Sequence, residues 1–114
     1  MLAPLEIATI AAKTMDDKLG RDIKVLKTAA LTTLADYFVI CSATSTTQIK
    51  TLADAVEAAL EEKGENIHHR EGYRDGGWVL LDFSSVVIHI FNDETRDFYK
   101  LEHKWADAEE ITID

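Results

Sequence analysis

Between Gly76 and Phe91 the chain reads Gly-Gly-Trp-Val-Leu-Leu-Asp-Phe-Ser-Ser-Val-Val-Ile-His-Ile-Phe, two runs rich in β-branched and aromatic residues around a serine pair. Such runs, with glycines leading in, predict a β-hairpin. If Ser84-Ser85 is the loop, antiparallel pairing sets Phe83 opposite Val86, Leu81 opposite Ile88 and Val79 opposite Ile90. That face is wholly apolar. Side chains alternate along a strand, so the other face carries Trp78 opposite Phe91, Leu80 opposite His89 and Asp82 opposite Val87. One face is therefore expected to be core, and the other, mixing aromatic, aliphatic, imidazole and carboxylate groups, a contact surface. An odd-length loop would slip the register by one and reshuffle the two sets.

The chain's 114 residues suit one domain, which at this size buries roughly two-thirds of its unfolded surface on folding. With 12 Lys and Arg against 21 Asp and Glu, the formal net charge is −9. A field of that sign repels phosphate backbones, so direct nucleic-acid binding is not expected. It would instead speed encounter with a basic protein, of which ribosomal and DNA-packaging proteins are the abundant examples. Cys41, the only cysteine, sits in an apolar run, which excludes an internal disulfide and fits a buried thiol in a reducing compartment. No targeting segment stands at the N-terminus and no run reaches the roughly 20 apolar residues of a membrane span. A cytoplasmic protein with no membrane contact is expected.

Along the chain, Ala8, Ala11, Ala12, Met15 and Leu19 recur at helical spacing after Pro4, predicting a first helix ended by Gly20. Asp22 to Lys27 alternates imperfectly and reads as a short strand near a sheet edge, where lysines discourage foreign pairing. Asp36 to Ala43 is nearly continuous in apolar residues, as in a central strand covered on both faces. Ser45 and Gln48 form a capping-box pattern. They open a helix with the stripe Ile49, Leu52, Ala53, Val56 and Leu60, stopped by Gly64. A strand around Ile67-His68-His69-Arg70 and a turn-prone segment from Gly72 to Gly77 lead into the hairpin. Asn92 or Asp93 caps a last helix with the stripe Phe98, Leu101 and Trp105. The acidic tail from about residue 107, with Asp107, Glu109, Glu110 and Asp114, is expected to be mobile. The order implies a single α/β (α+β) domain over residues 1–114: a mixed sheet of about five strands with helices packed on it. The strand–helix–strand unit around residues 37 to 70 permits a parallel pair, while the hairpin is antiparallel.

Catalytic and metal chemistry finds little support. His68, His69, Glu71, His89 and His103 are the candidate metal ligands, but neighbours on a strand point to opposite faces and no His-x-x-x-His or Cys-x-x-Cys pattern occurs. Ser42, Ser84, Ser85 and Cys41 have no nucleophile elbow around them. Gly76-Gly77 leads into a strand rather than a helix, and no phosphate-binding lysine follows. No enzyme activity, metal or cofactor is expected. The mixed hairpin face remains the candidate site: Trp78, Leu80, Asp82, His89 and Phe91, a composition resembling binding hot spots. Tyr73, Arg96 and Tyr99 are its weaker neighbours.

Longer blocks carry a family likeness. Leu31 to Ser42, Trp78 to Phe83, Val87 to Phe91 and Arg96 to Ala108 closely resemble, in order, the ribosomal silencing factor (RsfS, Iojap-related) family. The resemblance covers most of the chain from about Leu5 to Ala108. It implies a nucleotidyltransferase-like topology without the catalytic acidic pair. It also implies a steric translation inhibitor that docks on the large ribosomal subunit through the basic protein L-fourteen and blocks joining of the small subunit in starvation or stationary phase. Two alternatives stay open, a large-subunit assembly factor and a nucleotidyltransferase-like nucleotide binder. The free protein could also form a homodimer through its apolar strand face. Two positions depart from the family: Thr47 stands where an arginine is common, and the hairpin turn is Ser84-Ser85 rather than Gly-Asp-like. A serine pair tolerates positive φ poorly, so the turn puts the register at issue.

Overall fold

The computed structural model describes residues 2–29, 35–72, 77–92 and 108–111. Two helices, α1 (Pro4–Asp17) and α2 (Thr46–Glu62), accompany six strands: β1 (Arg21–Lys27), β2 (Tyr37–Ala43), β3 (His69–Glu71), β4 (Trp78–Asp82), β5 (Val86–Asn92) and β6 (Glu109–Ile111). The strands form one sheet in the order β3-β4-β5-β2-β1-β6. Every pairing is antiparallel except β2 with β5. The expected mixed sheet is therefore present, with one strand more than the sequence pattern predicts. The last helix expected around Phe98, Leu101 and Trp105 lies outside the described residues.

The hairpin forms in the register set by its hydrophobic pattern, with Trp78 opposite Phe91, Leu80 opposite His89 and Asp82 opposite Val87. Val79, Leu81, Phe83, Val86, Ile88 and Ile90 join the buried stripes of both helices in one core. The continuous apolar run of β2 is explained by its central place. Val39 and Cys41 enter that helix-side core, while Phe38 and Ile40 enter a second cluster with Leu26, Ala35 and Phe91. A strand buried on both faces has no position left for a polar alternation.

The parallel partner of β2 is β5 rather than β3, a correction to the placement that the segment from 37 to 70 permits. All three residues of β3 are exposed, and a short polar strand is tolerated only at a sheet edge. The acidic tail departs further from expectation, since Glu109–Ile111 is an ordered strand on β1. Lys27 of β1 stands opposite Glu109 and Val25 opposite Ile111. Opposite charges at directly opposed positions favour pairing, so the lysine read as guarding an edge instead faces an acidic strand. The imperfect alternation of β1 has a local cause, a register irregularity between Arg21 and Lys24 with Asp22 at φ +49°. Such a bulge breaks the period of two.

The helix ends show which residues do the capping. Ser45 Oγ accepts the Gln48 N–H at 3.1 Å, as its pattern requires. The Gln48 side chain does not close the box on Ser45. Its Oε1 accepts the Thr44 N–H at 2.7 Å, and its Nε2 donates to the Leu19 carbonyl at 3.1 Å, which ties the start of α2 to the end of α1. At the opposite ends, the Leu2 N–H donates to Glu65 Oε1 at 2.7 Å. Gly64 terminates α2 as expected, at φ +89°.

The end of α1 differs. Leu19, not Gly20, takes the left-handed conformation at φ +68°. Leu19 N–H donates to Asp16 O at 3.0 Å, and Gly20 N–H to Met15 O at 2.8 Å, the pairing of a Schellman end. Gly20 is required for space, because a Cβ there would lie 2.6 Å from Cys41 Sγ and 2.9 Å from Met15 O. Leu19, expected on the buried stripe, is 77% exposed. Left-handed backbone costs a residue with a Cβ about 1–2 kcal/mol, against about 0.5–1 kcal/mol of extra unfolded-state freedom for glycine. Leu19→Gly is therefore expected to stabilise the protein by about 0.5–1 kcal/mol. A urea midpoint that falls rather than rises would contradict this reading of the helix end.

Candidate functional site

The second face of the hairpin divides into a buried part and an accessible part. His89 is 4% exposed and Phe91 fully buried, so these two lie beneath the face rather than on its accessible part. Alternation places a side chain on a face, but it does not say whether that face is covered. Trp78, Leu80, Asp82 and Val87 remain half-buried, and these form the accessible patch. Val87 shares the face by register but was passed over for its more polar neighbours. Tyr73, Arg96 and Tyr99 lie outside the described residues.

Trp78 is held from two sides. Its ring stacks on that of Phe91, directly across the hairpin, with centroids 5.3 Å apart and planes at 24°. Its indole Nε1–H donates to His89 Nδ1 at 3.2 Å, one diagonal step across the strands. Phe38, from β2, packs against the imidazole in a T-shaped arrangement at 5.1 Å. Burial lowers the His89 pKa from 6.5 to about 4, since a low-dielectric site disfavours the charged ring. The ring is then neutral at pH 7, and because Nδ1 accepts, its proton resides on Nε2. That Nε2 is buried and has no hydrogen-bond partner among the described residues.

Asp82 has a structural task. Its Oδ1 accepts the Ser84 N–H at 2.7 Å, where Ser84 sits at φ +72°. Phe83 N–H donates to Val86 O at 2.9 Å, and Ser85 N–H to Phe83 O at 3.0 Å. An aspartate that accepts two residues ahead stabilises a turn of its own, which lets a serine occupy a position that otherwise favours glycine or asparagine. The Asp-x-Ser spacing carried this signal in the sequence. Asp82→Ala is expected to cost about 1 kcal/mol by leaving the Ser84 N–H without its acceptor. Asp82→Asn, which keeps an acceptor oxygen, should recover most of that in thermal denaturation. Equal losses in the two variants would show that the bond is not what Asp82 contributes.

Gly72 belongs to the site although only a turn role was legible for it. At φ +78°, a Cβ added there would lie 1.9 Å from the Trp78 carbonyl oxygen. The end of β3 therefore presses on the backbone that carries the tryptophan. Arg70 ties β3 to α2, its Nη1 lying 2.6 Å from Glu57 Oε2. The His69–Glu71 contact at 3.2 Å is well exposed on both sides and adds little. Thr47 lies exposed in the first turn of α2, on the helix side of the sheet, so its departure from the family leaves the Trp78 face untouched. Among the described residues no three His, Cys, Asp or Glu side chains gather as metal ligands would. No helix among them is long and apolar enough to cross a membrane.

Known proteins resemble this chain in both sequence and fold. A family described as "Ribosomal silencing factor during starvation" matches residues 2–114. The ribosomal silencing factor of Bacillus subtilis strain 168 is 36% identical over 108 residues, spanning 95% of this chain and 92% of that protein. A mouse protein named "Mitochondrial assembly of ribosomal large subunit protein 1" is 34% identical over 90 residues, 76% of this chain but 40% of its own length. The crystal structure of a Chromobacterium violaceum protein, 35% identical, matches with a TM-score of 0.90 over 92% of this chain and 88% of that one. With the match extending over nearly the whole chain, and a close structural counterpart for the sheet and helices, the chain belongs to the ribosomal silencing factor family.

Proposed function

We propose that this protein docks on the large ribosomal subunit through the basic protein L-fourteen and, by its bulk, blocks joining of the small subunit, lowering translation in starvation or stationary phase. The observation that carries this reading beyond family membership is the patch of Trp78, Leu80 and Val87, half-buried on a chain of net charge −9. The charge speeds encounter with a basic surface, and a desolvated apolar anchor slows departure. Steric exclusion needs no catalytic group, and an interface of about 800 Å² per partner would hold the protein in place. Titration with nucleotides and Mg²⁺ is accordingly expected to give no heat of binding.

The mouse relative's name, with its reference to assembly of the large subunit, favours a second reading in which the protein accompanies immature large subunits. The two readings separate when the protein is bound to purified mature large subunits and small subunits are added. Silencing requires that the yield of joined ribosomes fall as the protein saturates. Normal joining with the protein still bound would exclude silencing and favour the assembly role. When the protein is free, the same patch could pair two copies, which sedimentation at increasing concentration would reveal.

A further inference from the structure

The histidine beneath the docking patch has a task of its own. Trp78 has one hydrogen-bond donor, and it is directed at His89 Nδ1, 3.2 Å away. The indole's one donor is therefore already engaged within the protein. Its plane is fixed on a second side by the stacked ring of Phe91. His89 itself is 4% exposed and cannot touch a partner.

The histidine also carries a liability. Its Nε2 is buried with no hydrogen-bond partner among the described residues, and a buried donor left unmet lowers stability. The same strand position would hold a leucine or phenylalanine without that loss, among the apolar neighbours Phe38, Trp78 and Phe91. What those residues lack is the acceptor that faces the indole. A group that breaks a packing rule in the core, and whose one satisfied atom is directed at the surface anchor, marks a site where function outweighs stability.

We propose that His89 is a positioning residue: Nδ1 holds the Trp78 indole in one orientation with its N–H turned inward, so that a pre-organised, purely apolar anchor meets the large subunit. Fixing an anchor before binding removes the ordering cost that a freely rotating side chain adds to association. The inference rests on the docking role of the Trp78 face, which deepens to a named partner chemistry: an apolar recess that accepts an indole face without donating to or accepting from its nitrogen.

The test compares wild type with His89→Phe, His89→Leu, His89→Asn and Trp78→Ala in binding to purified large subunits. Trp78 Nε1–H is followed in parallel by nitrogen-edited NMR. Asparagine can place its side-chain oxygen where Nδ1 stands, whereas phenylalanine and leucine cannot. His89→Phe and His89→Leu are expected to fold at least as stably as wild type, to bind about tenfold more weakly, and to show faster hydrogen exchange at the Trp78 indole. His89→Asn is expected to restore both binding and exchange protection. If the acceptor-less variants change the indole resonance but bind as wild type while Trp78→Ala binds weakly, the positioning role is overturned and the docking face stands. If Trp78→Ala also binds as wild type, the docking reading itself fails. If both acceptor-less variants unfold, His89 is a packing residue and the proposal falls.

Discussion

Gly72→Ala is expected to be among the most damaging single-methyl changes in the protein, for two separable reasons. At φ +78° a residue with a Cβ meets a backbone penalty of about 1–2 kcal/mol. The new methyl would also stand 1.9 Å from the Trp78 carbonyl oxygen and 3.1 Å from its carbon. Backbone cannot rotate away as a flexible side chain would, so β3 and β4 must separate, and overpacking of this kind costs a further 1–3 kcal/mol or so. Less about 0.5–1 kcal/mol for the greater unfolded-state freedom of glycine, the expected loss is roughly 1–4 kcal/mol, about 5 °C or more in melting temperature for a chain of this size. Gly64 provides the control, with φ +89° and nothing within 4 Å of its Cβ position. Gly64→Ala should cost only the backbone penalty, so the difference between the two variants measures the pressure on Trp78. Equal losses would remove Gly72 from the site. Because the clash falls on the residue that carries the anchor, Gly72→Ala should also weaken large-subunit binding under conditions where the protein remains folded.

Acidification is expected to destabilise the protein through His89. Burial lowers its pKa in the folded state to about 4 from 6.5, so between these values the unfolded chain binds a proton that the folded chain does not. Stability from this group is therefore complete above about pH 6.5 and lost as pH falls towards 4. One proton corresponds to about 1.4 kcal/mol per pH unit, giving a loss of about 3 kcal/mol across the window. Protonation also turns Nδ1 from acceptor to donor, which sets two N–H groups against each other at the Trp78 contact. His89→Phe should abolish this component. Urea denaturation of both proteins at pH 7.5, 6 and 5 isolates it, since every other titrating group is shared. The wild type should lose ground to the variant as pH falls, and parallel profiles would contradict the burial of a neutral imidazole.

Much of the fold was legible because its determinants are local and periodic. The alternation from Trp78 to Phe91 sets the hairpin register, and a slip of one in β5 would have turned Val87, His89 and Phe91 to the helix-side core and Ile88 and Ile90 away from it. The doubly apolar run of β2 and the stripe of α2 were equally plain. The turn at Ser84 looked unfavourable only while Asp82 was counted as a contact residue, since the carboxylate supplies what a serine pair lacks. Leu19 and Gly20 were misassigned because positive φ and close approach both favour glycine. The positions of Cys41 Sγ, brought near by β2, and of the Met15 carbonyl oxygen show that Gly20 serves the second need.

The composition of the hairpin face was legible in the sequence, but the exposure of its members was not. Pleat alone gathers Trp78, Leu80, Asp82, His89 and Phe91 on one face, and the sheet does bring them together. Whether each of them is a surface or a core residue depends on what packs above the face, which no short stretch of sequence encodes. His89 and Phe91 are buried beneath the face, and Asp82 holds the turn through its hydrogen bond to Ser84. Strand β6 was missed because Glu109-Glu110-Ile111 has no strand pattern of its own and gains its place only opposite β1.

The claim that the Trp78 patch is the docking surface is tested most directly by co-sedimentation of wild type and Trp78→Ala with purified large subunits across a range of protein concentrations. Melting temperatures would confirm that both proteins are folded. Truncating a hot-spot aromatic is expected to cost roughly 1–4 kcal/mol of binding, a rightward shift of the binding curve of about five-fold to a thousand-fold. A folded Trp78→Ala protein that sediments with large subunits at wild-type affinity would contradict the claim.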